Sequence, residues 1–234
     1  MRNKLSNVSR RAALRGAAAG LTGALLTAAA TACTPEGTGT APSPDASPSP
    51  DTAGPGQARG RILLAYFSRA GENYYYGGRT NLDVGNTEVL AGLISALIPC
   101  DVHRIDAADP YPDSYDATVA RNVREQNQDA RPAIANPLAN IDQYDTVLLA
   151  NGIWNVRAPM IMTTFTDSYD FTGKTILPVT THAMSGLGTT ARDYANSCQG
   201  ATIGEGLAVK GEEVRDAGAD VQAWLRRTAL LPGA

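Results

Sequence analysis

The residues best suited to chemistry lie in three short polar segments. In the first, Ser68, Ala70 and Gly71 are followed, after a stretch rich in Tyr and Gly, by Asn86 and Thr87. Hydroxyl groups, glycines and the free N–H groups at the start of a helix suit the binding of a phosphate. Neither G-x-x-x-x-G-K-[ST] nor G-x-G-x-x-G is present there, which disfavours a nucleotide triphosphatase and a dinucleotide site. The alternative is that these hydroxyls only cap the helix.

The second segment contains Ile153, Trp154, Asn155 and Val156 and lies just before Pro159, which suits the first turn of a helix. An indole ring at the end of a strand can stack on a flat aromatic ligand. A Trp that belongs to the hydrophobic core is the alternative, although loops between strands and helices often carry function.

The third segment contains Thr181, His182, Ala183 and Gly186. His182 would bring a titratable imidazole that can donate a hydrogen bond, and a partly exposed loop His with no role is the alternative. Metal binding is disfavoured, because His103 and His182 are the two histidines of the chain and no Cys/His cluster forms.

The elements around these segments alternate between apolar runs and helical patterns. Strands are predicted over 61–67, 102–105, 146–150, 174–181 and 201–208, and helices over 86–97, 115–127, 159–169, 185–196 and 216–227. This alternation predicts a parallel sheet covered on both faces, and five strands favour an open doubly wound sheet over a barrel. Ligands bind such sheets beyond the carboxyl ends of the strands, where the three segments fall.

The three segments resemble the cofactor loops of flavodoxins. Ser68-Arg69-Ala70-Gly71 and Asn86-Thr87 are similar to the two halves of S/T-x-T-G-N-T, and residues 72–85 resemble an insertion that splits this motif in one branch of flavodoxin-like proteins. The second segment resembles G-x-P-I-W-W-G-x-A-P, and the third resembles T-S-G-G-S-G-x-G. The resemblance implies an α/β, flavodoxin-like fold: a doubly wound five-stranded parallel sheet of order 2-1-3-4-5, with helices on both faces.

The resemblance also implies that the cofactor is FMN. The residues that it assigns to FMN are Ser68, Ala70, Gly71, Asn86, Thr87, Ile153, Trp154, Asn155, Val156, Thr181, His182, Ala183 and Gly186. The implied function is redox: electron transfer, or reduction of a small acceptor such as a quinone. Whether the chain is an enzyme stays open; if it is, we expect an FMN-dependent oxidoreductase.

Three departures from the flavodoxin pattern favour an alternative function. Ala70 lacks a hydroxyl that the first loop usually has, Glu72 would repel a phosphate unless paired with Arg69 or Arg79, and Val156 stands where the family has Gly. The alternative is a non-enzymatic binding module of the same fold with weak FMN binding or none.

The N-terminal quarter of the chain, residues 1–58, has no pattern of a folded domain. Residues 1–33 resemble a twin-arginine signal, with Arg10 and Arg11 before a stretch of Ala, Gly and Leu too short for a convincing spanning helix. Small residues before Cys33 resemble a lipoprotein processing site, so we expect a lipid on Cys33. The alternatives are a Sec signal and cleavage near the same alanines. Residues 34–58, rich in Pro and Ser, are predicted to be a disordered tether to a domain over 59–234.

Charge and targeting together indicate the class of partner. The chain has formal net charge -3, and its first 33 residues carry five basic and no acidic side chains, so the remainder is more acidic. An acidic domain is a poor candidate for nucleic-acid binding by phosphate neutralisation. We therefore expect an exported, extracytoplasmic protein, bound to the membrane by its lipid alone, with a redox partner protein or a membrane quinone. Pairing of Cys100 with Cys198 is left open.

Overall fold

The computed structural model describes residues 61–232, and the signal, Cys33 and the tether lie outside this range. In chain order its strands are β1 (Ile62–Tyr66), β2 (Gly71–Tyr75), β3 (Gly78–Leu82), β4 (Asp101–Arg104), β5 (Thr146–Gly152), β6 (Thr175–His182), β7 (Thr202–Ile203) and β8 (Leu207–Lys210). Its helices are α1 (Asn86–Ser95), α2 (Tyr115–Asn127), α3 (Met160–Asp167), α4 (Thr190–Ser197) and α5 (Gly218–Arg227), with a 3-10 helix (Gly211–Asp216) before α5. None of these helices has the length and apolar character needed to span a bilayer.

The central sheet is parallel, in the order β4-β1-β5-β6, and both β7 and β8 pair with β6. In terms of the five predicted strands this is the order 2-1-3-4-5, which confirms the predicted fold class. The predicted strand over 201–208 is wrong in its extent, because two short strands share the fifth position. Between them, Gly204 and Gly206 lie so close to the side chains of Leu177 and Leu187 that a Cβ would overlap them.

Helices cover both faces of the sheet, so its strands are buried on both sides. Along β1 the side chains alternate between two cores: Leu64 packs with α1 and α5, and Leu63 packs with α3 and α4. Trp224 of α5 and Phe165 of α3 are fully buried in the first and second core, respectively. Cys100 packs against the first core and Cys198 lies in the second, and both thiols are free.

The stretch rich in Tyr and Gly after β1 forms a two-stranded antiparallel hairpin, β2–β3, outside the central sheet. Its tight turn places Tyr76 at φ +43° and Gly77 at φ +84°, the backbone geometry that two-residue hairpin turns require. Sequence analysis predicted no strands here. The hairpin contacts α2 on one side, where Arg79 bonds to Asp116 at 2.7 and 2.9 Å, and the 3-10 helix on the other.

The start of α4 also differs from the prediction. The predicted helix over 185–196 begins only at Thr190, because the preceding residues form a turn in which Gly186 and Gly188 have φ of +58° and +52°. A helix cannot run through such left-handed residues. The segment from Ser185 to Thr189 therefore stays a loop at the carboxyl end of β6.

Candidate functional site

A cavity of about 440 Å³ lies at the carboxyl ends of β1, β5 and β6, beside the start of α1. All three predicted segments reach it, as expected from parallel strands whose carboxyl ends share one edge of the sheet. The predicted residues that line it are Ser68, Asn86, Thr87, Ile153, Trp154, Asn155, Thr181, His182 and Ala183.

Four residues predicted to contact the ligand do not line the cavity: Ala70, Gly71, Val156 and Gly186. Gly71, at φ +80°, is packed against the backbone of Asp113, so it serves the hairpin junction. Val156 is 55% exposed on the outer side of its turn. The carbonyl oxygen of Gly186 accepts a hydrogen bond of 3.0 Å from Thr180 Oγ1.

The first segment brings a hydroxyl and a helix start to the same end of the cavity. Ser68 Oγ accepts a hydrogen bond of 3.1 Å from the Glu88 N–H in the first turn of α1. The hydroxyl therefore caps the helix from outside, and its own proton stays available for donation. Gly85 permits this approach, because a Cβ there would overlap Ser68 Oγ. The first amides of α1 have no intrahelical acceptor, so this end of the cavity favours an anion.

Thr87 links the first segment to the third. Its Oγ1 lies 2.8 Å from Thr181 Oγ1, and both side chains are buried. One of the two hydroxyls donates to the other, and the acceptor keeps its own proton for a ligand. The contact therefore links the start of α1 to the end of β6.

Arg69 places a positive charge in the wall of the cavity. Its guanidinium donates to the carbonyl oxygens of Pro112 and Asp113 at 3.1 and 3.0 Å, and to that of Glu72. Its Nε is buried and has no hydrogen-bond acceptor among the described residues. Burial lowers the pKa of Arg69 from its usual value, although a guanidinium stays charged near neutral pH. An anionic group bound in the cavity would stabilise the charged form of the Arg69 guanidinium.

The carboxylate of Glu72 is occupied within the hairpin junction. It accepts a hydrogen bond of 2.9 Å from the Tyr115 N–H and lies 3.6 Å from Arg79. The ion pair with Arg79 therefore reduces the repulsion that we expected between Glu72 and a phosphate.

Trp154 stands in the wall of the cavity with its ring held by two other aromatic rings. Phe67 and Tyr111 contact it edge to face, with ring centroids at 5.6 and 5.0 Å. Such pairs fix the orientation of a half-buried indole. The alternative of a purely core Trp is therefore wrong, since this side chain packs on the core and also lines the cavity.

The turn after Trp154 is tight and hydrogen-bonded at both ends. The N–H of Trp154 donates to the Arg157 carbonyl at 2.8 Å, and the reverse hydrogen bond is 3.4 Å long. Asn155 Nδ2 donates to Gln126 Oε1 at 2.9 Å, and Gln126 Nε2 donates to the Trp154 carbonyl at 3.1 Å. These bonds connect the turn to α2 and restrict its position.

His182 at the end of β6 and Glu212 in the 3-10 helix after β8 both line the cavity. His182 ends β6 opposite Lys210, the last residue of β8, and Glu212 follows two residues later. His182 Nδ1 and Glu212 Oε2 are both buried, and neither makes a hydrogen bond within the described range. Burial lowers the pKa of His182, and the carboxylate of Glu212 opposes that shift. Two buried polar atoms that face one cavity favour a ligand with polar groups.

Sequence analysis missed one whole wall of the cavity. The residues of α2 that line it are Tyr115, Thr118, Val119, Asn122 and Val123, together with Gly211 and Glu212 of the 3-10 helix. The five helical positions recur at intervals of three and four residues, so they form one face of the predicted helix. That periodicity was visible in the sequence, but the polar helix gave no indication of which face meets the cavity. Elsewhere, no group of three or more His, Cys, Asp or Glu within 61–232 is placed to hold a metal ion.

Comparison with known proteins gives one family and several solved structures. The family model for flavodoxin matches residues 61–228. A candidate flavoprotein from Bacteroides eggerthii DSM 20697 is 28% identical, with a TM-score of 0.59, covering 73% of this chain and 99% of its own. A candidate flavoprotein from Bacteroides uniformis ATCC 8492 is 25% identical, with a TM-score of 0.57, covering 71% and 98%. A flavoprotein from Lactobacillus acidophilus NCFM, solved in complex with FMN, is 17% identical, with a TM-score of 0.48, covering 68% and 98%. No curated protein matches the chain.

Proposed function

The chain belongs to the flavodoxin family, and from that premise we propose that it is an FMN-binding redox protein that works outside the cytoplasm. FMN is the cofactor that the family implies. The observation that carries the proposal is the convergence of three separate segments on one cavity of about 440 Å³. FMN, when bound, supplies the capacity to accept and release electrons, and the protein supplies binding, orientation and electrostatics.

The residues present fit FMN at both ends of the molecule. The hydroxyl of Ser68, the first amides of α1 and the guanidinium of Arg69 suit a phosphate. Trp154, held edge to face by its neighbours, suits a flat ring system. The unpartnered atoms of His182 and Glu212 suit the polar groups that FMN carries.

The proposed reactions are transfer of electrons to a redox partner protein or reduction of a small acceptor such as a quinone. Because soluble nicotinamide cofactors are scarce outside the cytoplasm, the electron donor is a protein or a membrane quinol in this proposal. In the reductase case the chain would be an FMN-dependent oxidoreductase.

A non-enzymatic module with weak FMN binding is the second candidate, and two observations favour it. The side chains of Thr87 and Thr181 form a hydrogen bond with each other, so one of their two hydroxyl hydrogens is not available to a ligand. Ala70 brings no hydroxyl to the first loop and does not line the cavity.

A visible absorption spectrum tests the choice between these two functions. The purified protein is incubated with FMN, passed through a desalting column and scanned over the near-ultraviolet and visible range, where the flavin ring system absorbs. We expect flavin bands that co-elute with the protein in an equimolar amount. Loss of all FMN on the column would favour the weak-binding module.

Export and lipid anchoring form the part of the proposal that rests on residues 1–33. Replacing Arg10 and Arg11 with Lys is expected to retain the protein in the cytoplasm, as measured by cell fractionation. Labelling with a radioactive fatty acid is expected in the wild type and not in Cys33→Ala. Unchanged export of the double-Lys variant would contradict the twin-arginine assignment, and equal labelling of both proteins would contradict the anchor.

A further inference from the structure

A largely buried polar network lies next to Trp154 and does not itself line the cavity. The Tyr111 hydroxyl donates a hydrogen bond of 2.9 Å to Glu125 Oε2, and Arg121 Nε donates one of 2.7 Å to Glu125 Oε1. The guanidinium carbon of Arg121 lies 4.0 Å from the centre of the Tyr111 ring, which is a cation–π contact. Each of the three side chains therefore contacts the other two, and together they are called the Tyr111 network below.

The network holds Tyr111 by its hydroxyl and by the face of its ring. Burial and the neighbouring Glu125 carboxylate raise the pKa of Tyr111, so the hydroxyl stays protonated and donates. Arg121 is held in turn by the Pro110 carbonyl oxygen and by the exposed Asp109 carboxylate, both at 3.1 Å. Tyr111 therefore cannot shift without losing a hydrogen bond to a buried charged group, which is a costly change.

Aromatic contacts connect Tyr111 to the wall of the cavity. Its ring centroid lies 5.0 Å from that of Trp154 and 5.4 Å from that of Phe67. Phe67 and Trp154 line the cavity, and their own ring centroids are 5.6 Å apart. Gln126, the residue after Glu125, donates to the Trp154 carbonyl at 3.1 Å. Helix α2 therefore holds the backbone of Trp154 directly and its ring through Tyr111.

The ion pair in this network is unusual because it is shielded from water. The side chains of Arg121 and Glu125 are 14% and 10% exposed, respectively. Removing two charges from water costs free energy that their attraction only partly returns, so apolar side chains of similar volume would be at least as stabilising. The best-attested use of such a pair is to select one arrangement of the groups around it. Here the group beside the pair is the Tyr111 ring, which contacts Trp154.

We propose that the Tyr111 network positions the indole of Trp154 for stacking on the flavin ring system, an inference that rests on the proposed FMN function. The three residues act through Trp154 and do not contact the ligand themselves. Loss of the network therefore weakens binding of the ring system. The phosphate end of the site, at Ser68 and the start of α1, keeps its own contacts.

Fluorine NMR of the flavin-free protein tests the orientation of Trp154. Both tryptophans, Trp154 and Trp224, are replaced by fluorotryptophan, and Trp154→Phe removes one resonance and so assigns it. We expect one sharp Trp154 line in the wild type. Tyr111→Phe keeps the ring but removes the donor to Glu125, so the Trp154 line should shift, split or broaden. The line of Trp224, which is fully buried in the first core, should not change.

Flavin titrations connect this orientation to binding. Tyr111→Phe is expected to raise the dissociation constants of FMN and riboflavin by the same factor, about three- to ten-fold, because apparent affinity falls with the fraction of molecules in the competent arrangement. The ratio of the two constants should stay at its wild-type value, since that ratio reports the phosphate end. Tyr111→Leu, which also removes the aromatic contact, should weaken both flavins further. Urea denaturation checks that each variant is folded.

Tyr144→Phe is the matched control, because Tyr144 belongs to a network of the same kind elsewhere in the domain. Its hydroxyl donates to Asp101 Oδ2 at 2.8 Å, and Arg61 pairs with the same carboxylate at 2.8 Å. Arg61 also lies 5.5 Å from the centre of the Tyr144 ring. Like Tyr111, Tyr144 is buried in the second core, but it precedes β5 and does not line the cavity. The control should match the wild type in its Trp154 line and in both dissociation constants.

Three results would overturn the inference while leaving the proposed function intact. The first is a Trp154 line that is the same in Tyr111→Phe as in the wild type. The second is an equal effect of Tyr111→Phe and Tyr144→Phe on flavin binding. The third is a Tyr111→Phe protein that loses affinity for FMN but not for riboflavin, which would locate the effect at the phosphate end. A wild-type protein that binds no flavin would instead contradict the proposed function, and the inference with it.

Discussion

Asn155 and Val156 occupy the two central positions of the tight turn beside the cavity, with φ of +51° and +63°. Asn tolerates this left-handed region, but a β-branched side chain does not. The Val156 carbonyl accepts a hydrogen bond of 2.8 Å from the Thr189 N–H, so the third segment helps to hold the strained residue in place. The turn therefore keeps its geometry at a cost in stability.

Val156→Gly is expected to raise the free energy of unfolding by about 1 kcal/mol. The left-handed conformation costs a non-Gly residue about 1–2 kcal/mol, and the greater freedom of Gly in the unfolded chain offsets part of the gain. Val156 is 55% exposed, so little apolar burial is lost. Denaturation by urea measures the change.

Val102→Gly is the control, and its change in the free energy of unfolding should have the opposite sign. Val102 is similarly exposed but lies in β4, where Gly weakens a strand. Its free energy of unfolding should fall. A fall in both variants would show that the turn at Val156 is not strained in solution.

The hairpin β2–β3 connects two parts of the cavity wall. Arg79 bonds to Asp116 through both Nη atoms and lies over the ring of Tyr115 at 4.5 Å. At the turn of the hairpin, three residues before Arg79, the Tyr76 N–H donates to Glu212 Oε1 at 3.1 Å. Because Asn73 and Tyr74 of β2 line the cavity, the position of the hairpin affects the shape of the site.

Arg79→Ala is expected to release the hairpin from α2 without unfolding the domain. Exposed ion pairs contribute little to global stability, but this one joins β3 to α2, whereas Glu72 of β2 has its own hydrogen bond to the Tyr115 N–H. Amide hydrogen exchange in β2 and β3 should become faster, whereas exchange in β1 and β5 should not change.

Arg61→Ala is the matched control, since it removes an exposed ion pair with Asp101 at the amino end of β1, whereas the hairpin follows the carboxyl end of that strand. Exchange in the hairpin should be the same as in the wild type. Equal protection of β2 and β3 in all three proteins would contradict the role given to Arg79.

The elements show which features could be predicted from sequence. Apolar runs such as that of β1 predicted buried strands, and alternation with helical periodicity predicted the parallel sheet. The hairpin was not predicted, because its strands are stabilised by contacts with α2 and the 3-10 helix, which are distant in sequence. The division of the fifth strand depends on the fit of Gly204 against Leu177, which is likewise a tertiary contact.

The candidate site was predictable to a similar degree. Nine of the predicted residues line the cavity, because strand ends of a parallel sheet meet at one edge. The α2 wall and Glu212 were missed, since the rotation of a polar helix and the position of a 3-10 helix depend on packing. Val156 was assigned to the ligand by its place in the motif, and in the structure it is 55% exposed and does not line the cavity.

At the scale of the whole molecule, the domain combines a two-sided core with a cavity whose inner end suits an anion. Strands buried on both faces hold the loops in position, and the contact of Thr87 with Thr181 connects the start of α1 directly with the end of β6. The cavity therefore matches a phosphorylated cofactor bound inside it.

The central claim is that the inner end of the cavity binds the phosphate of FMN, and comparison of FMN with riboflavin tests it most directly. Both flavins are titrated into the apo protein under the same conditions, and quenching of flavin fluorescence gives the two dissociation constants. Charge-assisted hydrogen bonds contribute about 1.5–3 kcal/mol each, so FMN should bind at least about ten-fold more tightly than riboflavin. Equal affinity for the two flavins would contradict the phosphate site at Ser68, Arg69 and the start of α1.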